Sequence, residues 1–135
     1  MQVSQSATAI PLQKTLVSLK VIPAAKKLPL KKLVISLSDE TRFIDFDDIV
    51  YCRSIGNYTT VFTNNGKSYL CCKTLKDIED RLPSETFIRT HQSYLVNAHR
   101  ITALKKQTSE LEIDNKLLLP ISRREKSTLY ELLGL

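Results

Sequence analysis

Within five residues, 89–93, the chain sets the guanidinium of Arg89, the imidazole of His91, the carboxamide of Gln92 and the hydroxyl of Ser93. No carboxylate occurs from residue 86 to residue 109, and Tyr94, Leu95 and Val96 follow directly as an apolar anchor. A donor-rich, acid-free cluster of this kind suits an anionic, hydrogen-bonding ligand, and nucleic acid is the first candidate. Gln92 could pair bidentately with an adenine edge, while Arg89, His91 and Ser93 could reach phosphate oxygens. The same residues could also form a plain surface loop in which Arg89 is neutralised internally, with Glu85 as its partner.

Two other segments offer similar chemistry. Gly56-Asn57-Tyr58-Thr59-Thr60 presents an amide, a phenol and two hydroxyls. Its bland reading is a turn in which Gly56 and Asn57 supply positive φ and Tyr58 is buried. Ile121-Ser122-Arg123-Arg124 places two guanidiniums at the first turn of a predicted helix. Positive charge there opposes the helix dipole at a cost of about 0.3–1 kcal/mol, which an arriving anion would relieve. Screening by Glu125 and solvent is the alternative.

Catalysis finds little support. The chain has no Gly-rich phosphate loop, no spaced metal cluster and no nucleophile elbow. His91 and Ser93 lack an orienting carboxylate nearby, and Cys52 with His91 would need an unforeseeable tertiary approach. The expectation is a protein that is not an enzyme and carries neither cofactor nor metal. Cys52, Cys71 and Cys72 are an odd number without an export signal, which argues against a disulfide framework. They read as reduced structural thiols, redox response at Cys52 or the Cys71-Cys72 pair being the alternative.

The elements that must position these groups are mostly short strands. Leu33, Ile35 and Leu37 alternate with Val34, Ser36 and Ser38 before a turn at Asp39-Glu40. Residues 42–46, 49–53 and 58–63 read as further strands, with residues 54–57 as a tight loop. Asn64-Asn65-Gly66 predicts a hairpin turn into a partner strand over 67–73. Thr74 caps a short helix through Leu82, ended by Pro83. Strands follow at 87–89 and 101–104, then a hairpin of 111–113 and 116–119 around Asp114-Asn115. Ser122-x-x-Glu125 is a capping box for a last helix with Leu129, Leu132 and Leu133 on one side. Eight to ten short strands and two short helices make the fold mainly β.

Length and composition agree with one soluble globular domain: 135 residues, 42% hydrophobic and 25% charged. No apolar run approaches the roughly 20 residues of a membrane helix, and the N-terminus lacks the pattern of a signal peptide. No membrane insertion and a cytoplasmic location are therefore expected. The net charge of +6 is equalled by the six lysines of residues 1–38, a stretch without acids, whereas residues 39–135 are neutral. The charge total therefore cannot mark the domain as a nucleic-acid binder. Its sign is nonetheless segregated: residues 49–76 and 86–109 each hold four Lys or Arg and no acid. Residues 1–30, punctuated by Pro11, Pro23 and Pro29, read as a basic leader or linker, in part disordered. Within it residues 12–22 could form a short strand or helix, and the lysines could touch phosphate.

The three polar segments, in this order, resemble the LytTR DNA-binding domain of bacterial transcription regulators. The matching stretches are Ile49-Val50-Tyr51-Cys52-x-x-x-Gly56-Asn57-Tyr58, Lys73-Thr74-Leu75-Lys76 and Leu82-Pro83. Phe87-x-Arg89-x-His91-x-Ser93-Tyr94-Leu95-Val96-Asn97 with Ile101 follows, then Leu119-Pro120-x-Ser122-Arg123. The likeness covers residues 31–135, leaving only the leader outside.

That resemblance implies an elongated arrangement of short antiparallel sheets that inserts loops, not a recognition helix, into successive major grooves. It implies Thr59, Gln92 and Arg123 as base contacts, and Thr60, Lys76, Arg89, His91, Ser93, Arg124 and Lys126 as DNA-backbone contacts. Asn57, Tyr58, Tyr94 and Asn97 would shape the loops and core. The expected function is a sequence-specific, double-stranded DNA-binding transcriptional regulator acting at repeated half-sites as a dimer. The alternative is a protein-interaction module derived from a DNA-binding fold. Many relatives carry a receiver domain, for which residues 1–30 are too short. For a complete chain, phosphorelay control would then be absent or supplied by a partner, such as a separate sensor or membrane protein. Gln92 departs from the Arg or Asn common at that position, which leaves its base preference open.

Overall fold

A computed structural model describes residues 30–135. The expectations for residues 1–29, including the stretch 12–22, lie outside the described residues. Residues Lys31–Leu135 form one compact unit. It opens with a hairpin of β1 (Lys32–Ser36) and β2 (Thr41–Asp45). Next come β3 (Ile49–Ile55), β4 (Tyr58–Thr63) and β5 (Ser68–Cys71), then helix α1 (Leu75–Arg81). Strands β6 (Phe87–His91) and β7 (Tyr94–Asn97) follow. The chain closes with β8 (Ile101–Lys105), β9 (Glu110–Ile113), β10 (Leu117–Pro120) and helix α2 (Arg123–Leu132). The mainly β expectation holds.

All strand pairs are antiparallel. The order is β5-β4-β3-β7-β6 in the largest sheet and β10-β9-β8 in the second. The five-stranded sheet is apolar on both faces, because consecutive strand residues point to opposite sides. Phe87 and Leu95 enter one core with Leu33, Ile35 and Ile44 of the hairpin and Leu75 and Ile78 of α1. Their neighbours Ile88 and Val96 enter a second core with Leu111, Ile113, Leu119 and Leu129. The β1–β2 hairpin and α1 thus cover one face, and β8–β10 with α2 cover part of the other.

A bulge between Ile49 and Tyr51 breaks this alternation. Ile49 lies in the first core, whereas Val50 and Tyr51 both turn toward the second. Tyr51 then stacks on Phe62, with ring centroids 4.3 Å apart.

Several predicted elements differ in detail. β3 continues through Ser54 and Ile55, so the loop expected at 54–57 shrinks to Gly56-Asn57. Gly56 alone of that pair takes positive φ, +60°, as a type II′ turn requires of its first central residue. The apolar residues after Ser93 form β7, a central strand rather than a mere anchor. Leu132, expected beside Leu129, is 61% exposed. Asp114 and Asn115 do form the hairpin turn, both with positive φ.

Asn97 ties these pieces together. It is 2% exposed. Its Nδ2 donates to the Ile49 carbonyl at 2.8 Å, and its Oδ1 accepts the His99 amide at 2.9 Å. Asn97→Ala would strand the buried Ile49 carbonyl and remove the cap of the following turn. A stability loss of about 2–3 kcal/mol in urea unfolding is expected; a change within about 0.5 kcal/mol would contradict this role.

The cysteines divide by burial. Cys52 and Cys71 are buried and Cys72 is exposed. Burial pushes both inner thiols above the usual cysteine range, Cys52 most. For Cys71 the burial outweighs the opposing pull of its hydrogen bond to the Lys73 backbone. At about pH 8 a thiol reagent is therefore expected to modify Cys72 in the native chain, and the other two only on unfolding. Prompt reaction of all three in the folded state would contradict the packing described.

Candidate nucleic-acid interface

The three polar segments meet at one end of the five-stranded sheet. β3 runs toward its Gly56-Asn57 turn in the direction opposite to β7, with Arg53 facing Tyr94 in register. The end of β3 and the start of β7 therefore lie together. Beyond Arg53, the Ser54 amide donates to the Ser93 carbonyl at 2.9 Å, which joins the first segment to the second.

The second segment is a hairpin closed by the His91–Tyr94 pair, with Gln92-Ser93 as its turn. A bulge between Arg89 and His91 makes Thr90 the extra residue. Its carbonyl accepts the Ser122 amide at 2.9 Å. This bond brings the third segment to the outer side of β6, with Arg123 next to the donor and Gln92 two residues past the acceptor. The segments thus form a row: the β3–β4 turn, the β6–β7 turn, then the start of α2. Two inter-strand spacings of about 4.8 Å set the first two turns roughly 10 Å apart.

At the first turn, Gly56 and Asn57 are exposed, and Ile55 and Tyr58 remain about half exposed. Thr59 is fully buried, and its Oγ1 donates to the Lys73 carbonyl at 2.7 Å. Thr60 is also buried. The Thr59 hydroxyl is engaged within the fold and Thr60 exposes little surface, so neither offers the outward group expected of a DNA contact. Strand alternation accounts for Thr59, which shares the inner face with Val61. Its bond instead holds the connection between β5 and α1. Tyr58, expected to be a core or loop-shaping residue, is the outward side chain here.

At the second turn Gln92 is exposed. Arg89 is committed within the fold. Its Nε donates to the His91 carbonyl at 3.0 Å, Nη2 to the Gln92 carbonyl at 2.7 Å, and Nη1 to Glu79 Oε1 at 2.7 Å. The internal salt bridge considered for Arg89 therefore forms with Glu79 of α1 rather than with Glu85. The His91 ring meets Tyr94 edge-on, and its Nδ1 accepts the Ser93 amide at 3.0 Å. In the neutral ring this leaves the proton on Nε2, free to donate elsewhere. Ser93 is half-buried.

At the third segment, Ser122 caps α2 by accepting the Glu125 amide at 3.2 Å. Arg123 and Arg124 are exposed. Lys126 turns back instead, with Nζ 3.3 Å from Ser109 Oγ and 5.8 Å from the centre of the Tyr130 ring. Lys76 lies near the start of α1, largely exposed and paired with Asp80 at 3.0 Å. An exposed pair of this kind is weak and readily exchanged for another anion. Among the described residues no group of His, Cys, Asp and Glu could hold a metal ion, and no helix is long and apolar enough to cross a membrane.

Sequence reasoning placed Arg89 among the outward cations because its acid partner is ten residues away in sequence, on another element. The exposed Tyr58 and Ile55 could have been found from the register of β3 with β4, which sets them opposite one another.

Known proteins are similar in sequence and in architecture. The chain is 32% identical over 120 residues to the CO-responsive transcriptional regulator RcoM of Rhodospirillum rubrum, covering 84% of this chain and 50% of that protein. It is 31% identical over 105 residues to the sensory transduction protein LytT of Bacillus subtilis, covering 76% and 43%. The chain thus spans half or less of the length of these curated relatives. Among solved structures, it resembles the LytTr DNA-binding domain of a Bacillus cereus protein described as a methyl-accepting/DNA response regulator. That likeness has a TM-score of 0.69 at 27% identity and covers 78% of this chain and 99% of that one. Residues 39–134 match the model of the LytTr DNA-binding domain, and the chain belongs to the LytTR family of DNA-binding regulatory domains.

Proposed function

We propose that the chain is a sequence-specific, double-stranded DNA-binding regulator of transcription. Its loops would enter major grooves at repeated half-sites, with two protomers on the DNA. The observation that carries this reading is the row of three polar segments, joined by the Ser54–Ser93 and Ser122–Thr90 backbone bonds at one end of the sheet. The row leaves Gln92, Arg123 and Arg124 exposed while the surrounding backbone is tied down. Side chains on fixed backbone bind with less loss of conformational freedom.

Gln92 and Arg123 are the base readers in this proposal; Arg123 suits the O6 and N7 of guanine. His91, through Nε2, with Ser93, Lys76 and Arg124, would meet phosphates. Tyr58 and Asn57 replace Thr59 and Thr60 as the outward groups of the first turn. Lys126 contributes by holding Ser109 beside the start of α2.

A second reading has its own observation. Ile55, Tyr58 and Leu70 are 51%, 48% and 58% exposed. Cross-strand register places all three on one face of the five-stranded sheet. This apolar strip would suit a protein-interaction module. The two readings separate when binding to a duplex selected from random sequence is compared with binding to a shuffled duplex at two salt concentrations. DNA reading predicts a clear preference and a steep fall with salt. Affinity indifferent to both sequence and salt would leave only the interaction module.

Two variants test the assignment of residues. Arg123→Ala should cost about 1–3 kcal/mol on the selected duplex and relax one position of the site; unchanged binding removes Arg123 from the reading set. Thr59→Val should lower stability by about 1–3 kcal/mol, since it strands the Lys73 carbonyl. It should leave the base preference intact, and an altered preference would return Thr59 to the DNA surface.

A further inference from the structure

We propose that Arg89, aligned by Glu79, is a positioning residue that sets the base preference of the Gln92 turn rather than a phosphate contact. The inference rests on the DNA-binding reading and assigns a role to a pair outside the exposed reading groups.

The geometry of one guanidinium carries it. Arg89 donates from two different nitrogens to the successive carbonyls of His91 and Gln92, at 3.0 and 2.7 Å. Two bonds from one rigid, planar fork fix the directions of both peptide planes. Glu79 accepts from the remaining nitrogen at 2.7 Å, and both side chains are largely shielded from solvent. The carboxylate therefore holds the fork in the orientation that both carbonyls need. Ser93 is held independently, its amide on His91 Nδ1 and its carbonyl on the Ser54 amide. Every residue of the turn is tied through its backbone, and the Gln92 side chain is left exposed. A bidentate amide contact to a base edge needs this constraint, because it is lost when the backbone beneath it rotates.

Electrostatics gives the idea a distinctive signature. Removing a carboxylate close to a DNA surface should by charge alone strengthen binding to every duplex. A positioning role predicts that Glu79→Gln instead loses affinity for the preferred sequence. Arg89→Lys keeps the positive charge but lacks the fork. It should therefore show the same loss.

The experiment uses the full chain with two probes: the duplex recovered by selection from random sequence with the unaltered protein, and a shuffled duplex of equal composition. Affinities are measured across a salt series. Both variants are expected to lower the selected-to-shuffled ratio roughly ten-fold. The salt slope should stay unchanged, with no loss on the shuffled duplex. In a Gln92→Ala background, where no reading amide remains to be positioned, Glu79→Gln should add no further loss of the ratio. A phosphate-contact role would instead lower both affinities alike for Arg89→Lys or Arg89→Gln and reduce the slope by about one for the latter. That result overturns the proposal, as does Glu79→Gln tightening both duplexes equally, or an additive loss with Gln92→Ala. Selection that enriches no sequence would overturn the DNA-reading function itself, a failure visible before any variant is made.

Discussion

The hydrogen bond from the Ser122 amide to the Thr90 carbonyl determines where the last helix begins relative to the five-stranded sheet. It depends on the bulge in β6, which makes Thr90 a residue without a counterpart on β7. Thr90 is fully buried, so its carbonyl must find a donor within the protein. Ser122 supplies that donor with its backbone while its hydroxyl caps α2. One residue thereby closes the sheet edge and starts the helix that carries Arg123 and Arg124. The arrangement has an energetic cost, because the Thr90 hydroxyl is buried without a partner among the described residues. An unpaired hydroxyl of this kind costs about 1–3 kcal/mol.

The rest of the row follows from strand geometry. Antiparallel pairing of β3 with β7 brings the Gly56-Asn57 turn and the Gln92-Ser93 turn to the same end. Two cores then hold the sheet from opposite faces, so that end is set on a packed platform. Polar side chains around it divide into two groups. Arg89 and Thr59 use their hydrogen bonds within the protein, and Gln92, Arg123 and Arg124 are exposed. A rigid base with a few free side chains is the arrangement that sequence readout requires.

Much of the architecture was legible in the sequence because it rests on local signals. Alternating apolar residues marked the strands, Asn64-Asn65-Gly66 and Asp114-Asn115 marked turns, and Thr74 and Ser122 marked helix starts. The ordered motif set pointed to the family. Tertiary pairing was less accessible. Thr59 looked like an outward hydroxyl until register put it on the face of Val61, and Arg89 looked like a free cation until α1 brought Glu79 to it. β7 was read only as an anchor, because a continuous Tyr-Leu-Val run gives no alternation when a strand is covered on both faces. The bulges at Val50 and Thr90 left no local signal, yet one of them sets the third segment in place.

If the row of three segments is the interface, DNA must lie along it. Amide and side-chain chemical-shift changes in the isotopically labelled chain, titrated with a selected duplex, test this most directly. Shifts should concentrate at Gly56, Asn57 and Tyr58, at His91, Gln92 and Ser93, and at Arg123 and Arg124, with the β1–β2 hairpin unaffected. Shifts confined to Leu70 and the outer edge of β5, or absent from the Gln92 turn, would contradict it.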